Sequence, residues 1–401
     1  MSTQLRVAVA GAGAFGKNHL RVYRELEQAG AGVTLAAVVE QDPVRAAEHA
    51  KAYGIPVFAT VESLLAADLK LDAATVAVPT VHHHAVAGAL LEAGLDLLVE
   101  KPLAATLAEA DELVALAERK GRILQPGHLE RFNPAVLAVE PQLRRPMFFE
   151  AHRLSLFTPR ALDVDVVLDL MIHDLDIVLT FARSAVREVR AVGLPVVSPK
   201  VDIANVRVEF ESGCVANFTA SRVSTERVRK LRFFEPKQYV SIDYARRDLL
   251  VIRMDGEAAA GVSPLVAAAA EEYLATGKLA SAAIQNLLAS GALSPALLGQ
   301  LMAAQSDPAK LRKLAEELAR PQETGAEGPA PGLRFVKPQV APGEPLKLEI
   351  ESFLESVRTR RQPQVTARQG REALGLALEI QAAMAAHAKR AGLGDFFAPG
   401  N

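Results

Sequence analysis

Three glycines, Gly11, Gly13 and Gly16, form the run GAGAFG between an apolar stretch, residues 5–10, and a helical stretch, residues 17–28. The first glycine of such a run makes a turn too tight for a side chain. The second lets a pyrophosphate approach the backbone, and the third lets helix and strand pack closely. The helix N-terminus adds partial positive charge beside the phosphates. Ala14 and Phe15 complete the loop and count among the expected cofactor contacts. A carboxylate, Glu40, closes the next apolar run, residues 33–40. There it would accept hydrogen bonds from the adenosine ribose hydroxyls and repel a 2′-phosphate. Gln41 follows, and the next arginine is Arg45, so the pattern favours NAD over NADP. Asp42 is a competing acid, but it precedes Pro43 and suits the start of a helix.

Apolar runs and helical stretches keep alternating beyond this point. Strands are expected at 73–79 and 95–100, and helices at 44–53, 85–93 and 107–120. This predicts an α/β chain whose N-terminal Rossmann dinucleotide-binding domain, residues 1–127, has a parallel sheet covered by helices on both faces. The pattern changes near Gly127. Short alternating runs at 204–210, 215–222, 228–234, 239–244 and 249–254, separated by turn signals, predict a largely antiparallel open sheet with one covered face. Residues 128–401 are expected to form a C-terminal α+β domain for substrate and subunit contacts. Within it, about 256–332 reads as a helical or partly flexible insertion. Its helical stretches are 264–276, 280–288, 295–304 and 308–319, and its connector is 321–331. Closing helices are expected at 346–358 and 368–391.

Composition excludes several classes. Lys plus Arg number 45 against 47 Asp plus Glu, a net charge of -2, which leaves no basic footprint for nucleic acid. The single cysteine, Cys214, rules out an internal disulfide framework and a cysteine-built metal site, and reads as a small buried apolar residue. The chain shows neither a secretory signal nor a run of ~20 apolar residues able to span a bilayer, and a cytoplasmic location is expected. His82, His83 and His84 are consecutive, so they cannot easily converge on one ion. No metal is expected; His83 is expected near the cofactor.

Two places carry candidate chemistry. Glu100-Lys101-Pro102 closes a strand, where ligands bind in open α/β sheets. A lysine there can reach the nicotinamide and the reacting oxygen, or lie on the surface ahead of a helix. The stretch DVVLDLMIHDLD, residues 165–176, is the more informative. Asp165, Asp169 and His173 are spaced by four and Asp176 by three, so on one α-helix they share a stripe. The remaining positions are mostly apolar, which predicts burial, and buried carboxylates and imidazoles need partners. Asp165 also fits an N-cap. Asp169 and His173 are expected to pair, the carboxylate orienting the ring and favouring its protonated form. This constellation suits oxidation of a secondary alcohol: His173 as base, Lys101 steadying the alkoxide, Asp169 holding the substrate or tuning the imidazole.

In order, GAGAFG, Pro79-Thr80-Val-His-His83, Glu100-Lys101-Pro102 and Asp169-x-x-x-His173 resemble the glucose-fructose oxidoreductase / inositol dehydrogenase / MocA family. The resemblance spans most of residues 5–254 and resumes near 345, with the alanine-rich insertion outside it. It implies Lys101, Asp169 and His173 as the catalytic set, Pro79, Thr80 and His83 on the nicotinamide side with Glu100, and dimers or tetramers packed through the open sheet. Gly127-His-Leu-Glu-Arg-Phe-Asn-Pro134 and the long aspartate-rich stretch look most like UDP-N-acetylglucosamine 3-dehydrogenase members. That likeness implies a sugar or nucleotide-sugar substrate. Arg131, Asn133, Arg153 and Arg160 are then candidates for binding it, the arginines for its diphosphate, with ion pairing as the competing role for each. Arg222, Arg227, Arg229, Lys230 and Arg232 form a basic patch that reads first as a solvated sheet face. Two other functions fit the same residues: a reductase of another carbonyl or imine, as in biliverdin reductase-like members, and a non-catalytic NAD-binding regulator.

Overall fold

The run at residues 5–10 becomes β1 (Leu5–Ala10), buried at nearly every position, as an apolar strand between two helical layers must be. There follow α1 (Gly16–Gln28), β2 (Val33–Val39), α2 (Pro43–Tyr53), β3 (Val57–Phe58), α3 (Val61–Ala66), β4 (Ala73–Val76), α4 (His83–Glu92), β5 (Asp96–Glu100), α5 (Leu107–Lys120) and β6 (Leu124–Gly127). The six strands form one sheet in the order β3-β2-β1-β4-β5-β6, and all adjacent pairs are parallel. Strand order reverses between β1 and β4, which opens a crevice at the carboxyl edge. Gly11, Glu40, Pro79 and Lys101 all follow strand ends on that edge. Local signals act as expected at α2, where the Asp42 side chain accepts from the N–H groups of Val44 and Arg45 ahead of Pro43.

The chain continues through α6 (Pro134–Val139) and β7 (Phe148–Leu154) to a π-helical turn, Val167–Met171, which runs directly into α7 (Ile172–Ala182). Next come β8 (Val186–Leu194), β9 (Ile203–Phe210), β10 (Val215–Ser221) and β11 (Val228–Glu235). These strands lie in the order β11-β7-β10-β9-β8. The pairs β8–β9 and β9–β10 are antiparallel, whereas β7 and β10 are parallel. Alternate residues of β9 are buried, so one face is covered as the patterning predicts. β3, β6, β7 and β8 were not expected. β7 mixes Glu150, His152 and Arg153 with apolar residues, β3 has two residues, and β6 contains Pro126 and Gly127.

The remaining elements are β12 (Gln238–Asp243), β13 (Asp248–Met254), α8 (Pro264–Thr276), α9 (Pro308–Leu318), β14 (Gly325–Glu327), β15 (Leu333–Val336), α10 (Pro345–Thr359) and α11 (Ala367–Arg390). This computed structural model describes residues 4–158, 164–254, 264–276, 287, 301, 307–318, 325–327 and 333–393. The expected helices at 280–288 and 295–304 lie outside the described residues, apart from positions 287 and 301. The expected connector at 321–331 contains β14, which pairs antiparallel with β15. No helix among the described residues is long and apolar enough to cross a membrane.

By internal contacts the chain divides into two compact units: Met1–Phe233 with Ile242–Asp248 and Val340–Asn401, and Phe234–Ser241 with Leu249–Gln339. In the first, one face of the parallel sheet is covered by α4 and α5, through Leu90, Leu91, Leu113 and Ala117. The other is covered by α1 and by α10, whose Leu346, Ile350, Phe353 and Leu354 join Val7, Val9, Leu20 and Tyr23. Helix α11 packs on β8 and α7. In the second unit, β13 pairs antiparallel with β15, and α8 packs on α9.

Candidate active site

The glycine turn separates into two kinds of position. Gly11 has φ +89, and a Cβ there would lie 2.7 Å from the Ala77 carbonyl oxygen. A Cβ on Gly16 would come within 1.9 Å of the Gly11 oxygen. The fold itself demands these two glycines. A Cβ on Gly13 would meet no protein atom within 4 Å, so that position stays small for something other than the fold. It lies directly ahead of the α1 N-terminus, where backbone N–H groups suit phosphate oxygens. The adjoining cleft of about 460 Å³ is lined by Gly11, Gly13, Glu40, Arg45, Pro79 and His82 among others, a size suited to part of a dinucleotide. The residues present therefore fit NAD.

At the far end of this cleft Glu40 accepts from Ala12 N (3.2 Å), Asp42 N (2.9 Å) and Arg45 Nη2 (2.9 Å). Burial alone would raise the Glu40 carboxyl, but Arg45 and the two N–H groups outweigh it and hold it below its ordinary value. The sequence spacing hid Arg45 from this site: one turn into α2, it returns to the acid. Phe15 stacks edge-on against His19, ring centroids 5.5 Å apart, and Thr80 opens a short 3-10 turn, Thr80–His82.

His82, rather than His83, lines the cleft. His83 is buried, with Nδ1 2.8 Å from the Pro102 carbonyl and Nε2 2.9 Å from that of Val78. It ties the loop after β4 to the loop after β5, and burial lowers its affinity for protons. His84 instead pairs with Glu112. Among the described residues no cluster of three metal-ligating side chains exists. Cys214 is buried, and burial pushes its thiol up to about 11.

Lys101 follows β5 with a cis bond to Pro102. Its Nζ donates to the main-chain oxygen of Asp169 at 2.8 Å, with that of Leu168 at 3.4 Å. Burial lowers the Lys101 ammonium below its ordinary value, opposed by the charges of Asp169 and Glu100. Glu100 is buried against His19 (2.8 Å).

The π turn changes the expected geometry. It gives the main chain a wider winding between residues 167 and 171, so Asp169 and His173 do not share an α-helical stripe and the expected pair between their side chains does not form. Turns of this kind are often found at functional sites. Asp165 takes its capping role: Oδ1 accepts from Val167 N (2.9 Å) and Leu168 N (3.1 Å). Asp169 lies beside Lys101 instead. His173 Nδ1 is buried with no protein partner. The ring's affinity for protons falls well below the ordinary value, first through burial, then through the positive charges of Lys101 and Arg153. The expectation that a carboxylate favours its protonated form is thus reversed: His173 is held neutral.

The candidate substrate residues sit inside the fold. Arg153 gives Nε and Nη2 to Asp174 (2.7 and 3.0 Å) and Nη1 to Glu130 (3.1 Å), with its guanidinium 5.1 Å over the Tyr244 ring. Asn133 caps α6 through Ala135 N and donates to Glu130 and to Tyr244 O. Arg131 is buried, donating to Thr180 Oγ1 at 2.5 Å, with Asp176 3.6 Å away. All three are buried, and the donors of Arg153 and Asn133 are taken, so a diphosphate would have to break buried ion pairs and hydrogen bonds to reach those two. Arg160 lies outside the described residues. Of the basic patch, Arg222 is buried against Asp202 (3.1 Å), while Arg229 is exposed on β11 and its charge reaches His173. Arg45 was noted only as the next arginine after Glu40, and His128 stood without a role inside the Gly127–Pro134 run; Glu349 went unremarked, with no local motif to mark it.

Comparison with known proteins follows the same division of the chain. Residues 5–128 match the family model described as "Oxidoreductase family, NAD-binding Rossmann fold". Residues 136–235 match the GFO/IDH/MocA C-terminal domain. The UDP-N-acetylglucosamine 3-dehydrogenase of Acidithiobacillus ferrooxidans is 37% identical over 246 residues, 61% of this chain and 76% of that protein. An inositol 2-dehydrogenase of Corynebacterium glutamicum is 30% identical over 203 residues, 46% of this chain and 56% of that one. A solved structure of the Acidithiobacillus enzyme superposes with a TM-score of 0.73 at 29% identity, covering 95% of this chain and 98% of that one. Levoglucosan dehydrogenase in complex with NADH and L-sorbose shares the fold, with a TM-score of 0.70 at 16% identity over 96% of this chain and 97% of that one.

Proposed function

The chain belongs to the GFO/IDH/MocA family of NAD-binding oxidoreductases, and we propose that it oxidises a secondary hydroxyl of a nucleotide sugar, the 3-hydroxyl of UDP-N-acetylglucosamine or a close relative, with NAD rather than NADP. The observation that carries this reading is the approach of Lys101 to the π turn bearing Asp169, which runs directly into the helix of His173. A relative that acts on UDP-N-acetylglucosamine supports the substrate.

NAD, when bound, supplies the hydride acceptor. The chain's own residues do the rest. Gly13 leaves room for the pyrophosphate, and Glu40 takes the ribose hydroxyls, exchanging Arg45 for them on one oxygen. His173, held neutral, is the base for the hydroxyl proton, with Nδ1 buried and Nε2 left for the substrate. Lys101, charged beside the Asp169 carboxylate, steadies the alkoxide as it forms. With Arg131 and Arg153 committed to the interior, Arg229 is the cation assigned to the substrate diphosphate.

The test is to incubate the protein with NAD and, separately, UDP-N-acetylglucosamine, UDP-N-acetylgalactosamine and myo-inositol, following absorbance at the NADH band. Turnover of a UDP-sugar that vanishes in His173→Ala while NADH binding persists is the expected result. Turnover of myo-inositol alone refutes the substrate, and full activity in His173→Ala refutes the base.

A further inference from the structure

Lys101 is preceded by a buried acid that the reaction as derived does not use. Glu100 ends β5, and its side chain meets His19, a fully buried residue one turn into α1. His19 Nε2 stands 2.8 Å from Glu100 Oε1. His19 Nδ1 is buried with no protein partner. A neutral imidazole has one N–H, and an acceptor faces only Nε2, so the ring donates from Nε2 to the carboxylate. The other carboxyl oxygen, Oε2, accepts from Lys101 N at 3.3 Å. Gly127 lies opposite Glu100 on β6, and a Cβ there would come within 3.1 Å of Glu100 Cδ and Oε1. The neighbouring strand thus leaves the carboxyl its room. Phe15 of the glycine run sets its ring edge-on to the same imidazole.

Stability alone does not call for such a pair. Taking a carboxylate out of water is costly, and apolar side chains of the same volume often fill the space as well. Alcohol oxidation does call for it. The lysine must hold its ammonium at one place, since a misplacement of about 1 Å can cost about a hundredfold in rate. It must also be charged. Burial lowers the affinity of Lys101 for its proton; the charges of Asp169 and Glu100 oppose this, and Arg153 adds to it. His173 and His128 are the imidazoles that feel the ammonium in turn. Around Glu100 stand His19, His83, His128 and Glu349. Glu349 is raised well above its ordinary value, first by burial and then by the charges of Glu100 and Asp176, so it is neutral and leaves Glu100 as the carboxylate at this strand end.

Building on the alkoxide role of Lys101, we propose that His19 and Glu100 form a positioning bridge: His19 holds the Glu100 carboxylate against the main chain of Lys101 and so aims that lysine at the reacting oxygen. Each link is a hydrogen bond between buried groups. The bridge starts on the helix that the glycine run opens and ends at the lysine, so the element that receives the pyrophosphate and the group that meets the substrate are tied through two side chains. Neither His19 nor Glu100 touches the substrate; both act through Lys101. The expected place of Glu100 among the cofactor contacts is replaced by this one.

Two measurements on the full chain test the bridge. In the first, Lys101 is acylated with a trace of acetic anhydride across a pH series, without cofactor or substrate, and its labelling is read by mass spectrometry. In Glu100→Gln the lysine should titrate about one pH unit lower than in wild type, because a neighbouring negative charge is gone. A Lys101 that titrates alike in both proteins overturns the bridge, whatever the sugar panel shows. In the second, steady-state oxidation and NADH fluorescence titration compare His19→Leu with His19→Gln, whose amide nitrogen reaches about as far as the ring Nε2 and can donate to Glu100. His19→Leu should lower kcat about tenfold or more, with KM and NADH affinity changed less than threefold, and His19→Gln should recover most of the rate. Equal losses in the two variants, or a loss of NADH affinity in place of kcat, overturn the bridge. So does a fall in the urea midpoint with kcat and Lys101 labelling unmoved, the mark of a purely structural pair. His19→Gln is the milder change and, with the Glu100→Gln labelling, decides the matter if His19→Leu does not fold. Full activity in Lys101→Met would sink the lysine's own role, on which the bridge rests; an unmoved Lys101 in Glu100→Gln sinks the bridge alone.

Discussion

Replacing Gly13 by alanine separates what the fold needs from what the cofactor needs. Gly13 has no positive φ and its Cβ would meet no protein atom within 4 Å. By the chain alone, Gly13→Ala should stabilise the protein by about 0.4–1 kcal/mol, because it restricts the unfolded state. The added methyl group nevertheless occupies the space ahead of the α1 N-terminus. A charged hydrogen bond from backbone to phosphate is worth roughly 1.5–3 kcal/mol. Losing one weakens NAD by about ten- to a hundredfold. Gly11→Ala is the control. It forces a side chain into φ +89 and against the Ala77 oxygen at 2.7 Å. The conformation costs about 1–2 kcal/mol and the overlap about 1–3 more. Urea unfolding and quenching of protein fluorescence by NADH read the two quantities independently. Stability kept with affinity lost at Gly13, and stability lost at Gly11, is the expected pattern. A Gly13→Ala protein that binds NADH as wild type does would refute the assignment of that space to the pyrophosphate.

Lys101→Met should lower kcat for oxidation by about two to four orders of magnitude, the scale of a lost oxyanion partner, with NADH affinity changed less than threefold, measured by steady-state kinetics and fluorescence titration; a comparable loss of both would mean that the lysine serves the cofactor. Glu349→Gln should remove a pH dependence of stability. The native carboxyl keeps its proton above the ordinary carboxylate range while the unfolded one releases it, so wild-type stability falls as pH rises, by about 1.4 kcal/mol per pH unit within that window; parallel urea midpoints for the two proteins from pH 5 to pH 8 would show that Glu349 is ionised. His173 has the opposite sign. Its native affinity for protons is lowered, so its contribution is intact at neutral pH and is lost as pH falls through the ordinary histidine range, and the acid limb of kcat/KM for oxidation should lie below that range.

The nucleotide half was legible because its rules are local. Each strand of that half that ends at the cleft is a mostly apolar run, and the glycine turn and the Asp42-Pro43 cap are contiguous in sequence. The short strands β3 and β6 had no such run. In the second half, period-two patterning revealed β9 to β13 but not β7, whose Glu150, His152 and Arg153 disguise a strand with buried alternate positions. The reacting groups were legible as residue types and not as geometry. Spacing by four assumes 3.6 residues per turn, and the π turn at Val167–Met171 breaks that assumption where it matters. The arginines failed as phosphate ligands for a related reason: whether a guanidinium faces solvent or a buried carboxylate depends on partners such as Asp174 and Glu130, which sequence distance does not order. Arg45 is the converse case. It was noted as distant from Glu40, and one helical turn brings it back.

Helix α10 gives the order of synthesis a physical meaning. Ile350 and Phe353 cover a sheet whose last strand is finished by residue 127, so more than two hundred residues must be made before that surface has its lid. At ribosomal speeds of about 5–20 residues per second this is roughly ten to fifty seconds, during which Val7 and Val9 have only α1 above them. A chaperone that shields aliphatic surface during that interval, or early capture of dinucleotide by the glycine turn, would raise the yield of active enzyme. A gene fragment stopped after β6 would give sticky, insoluble material and not a miniature NAD-binding protein.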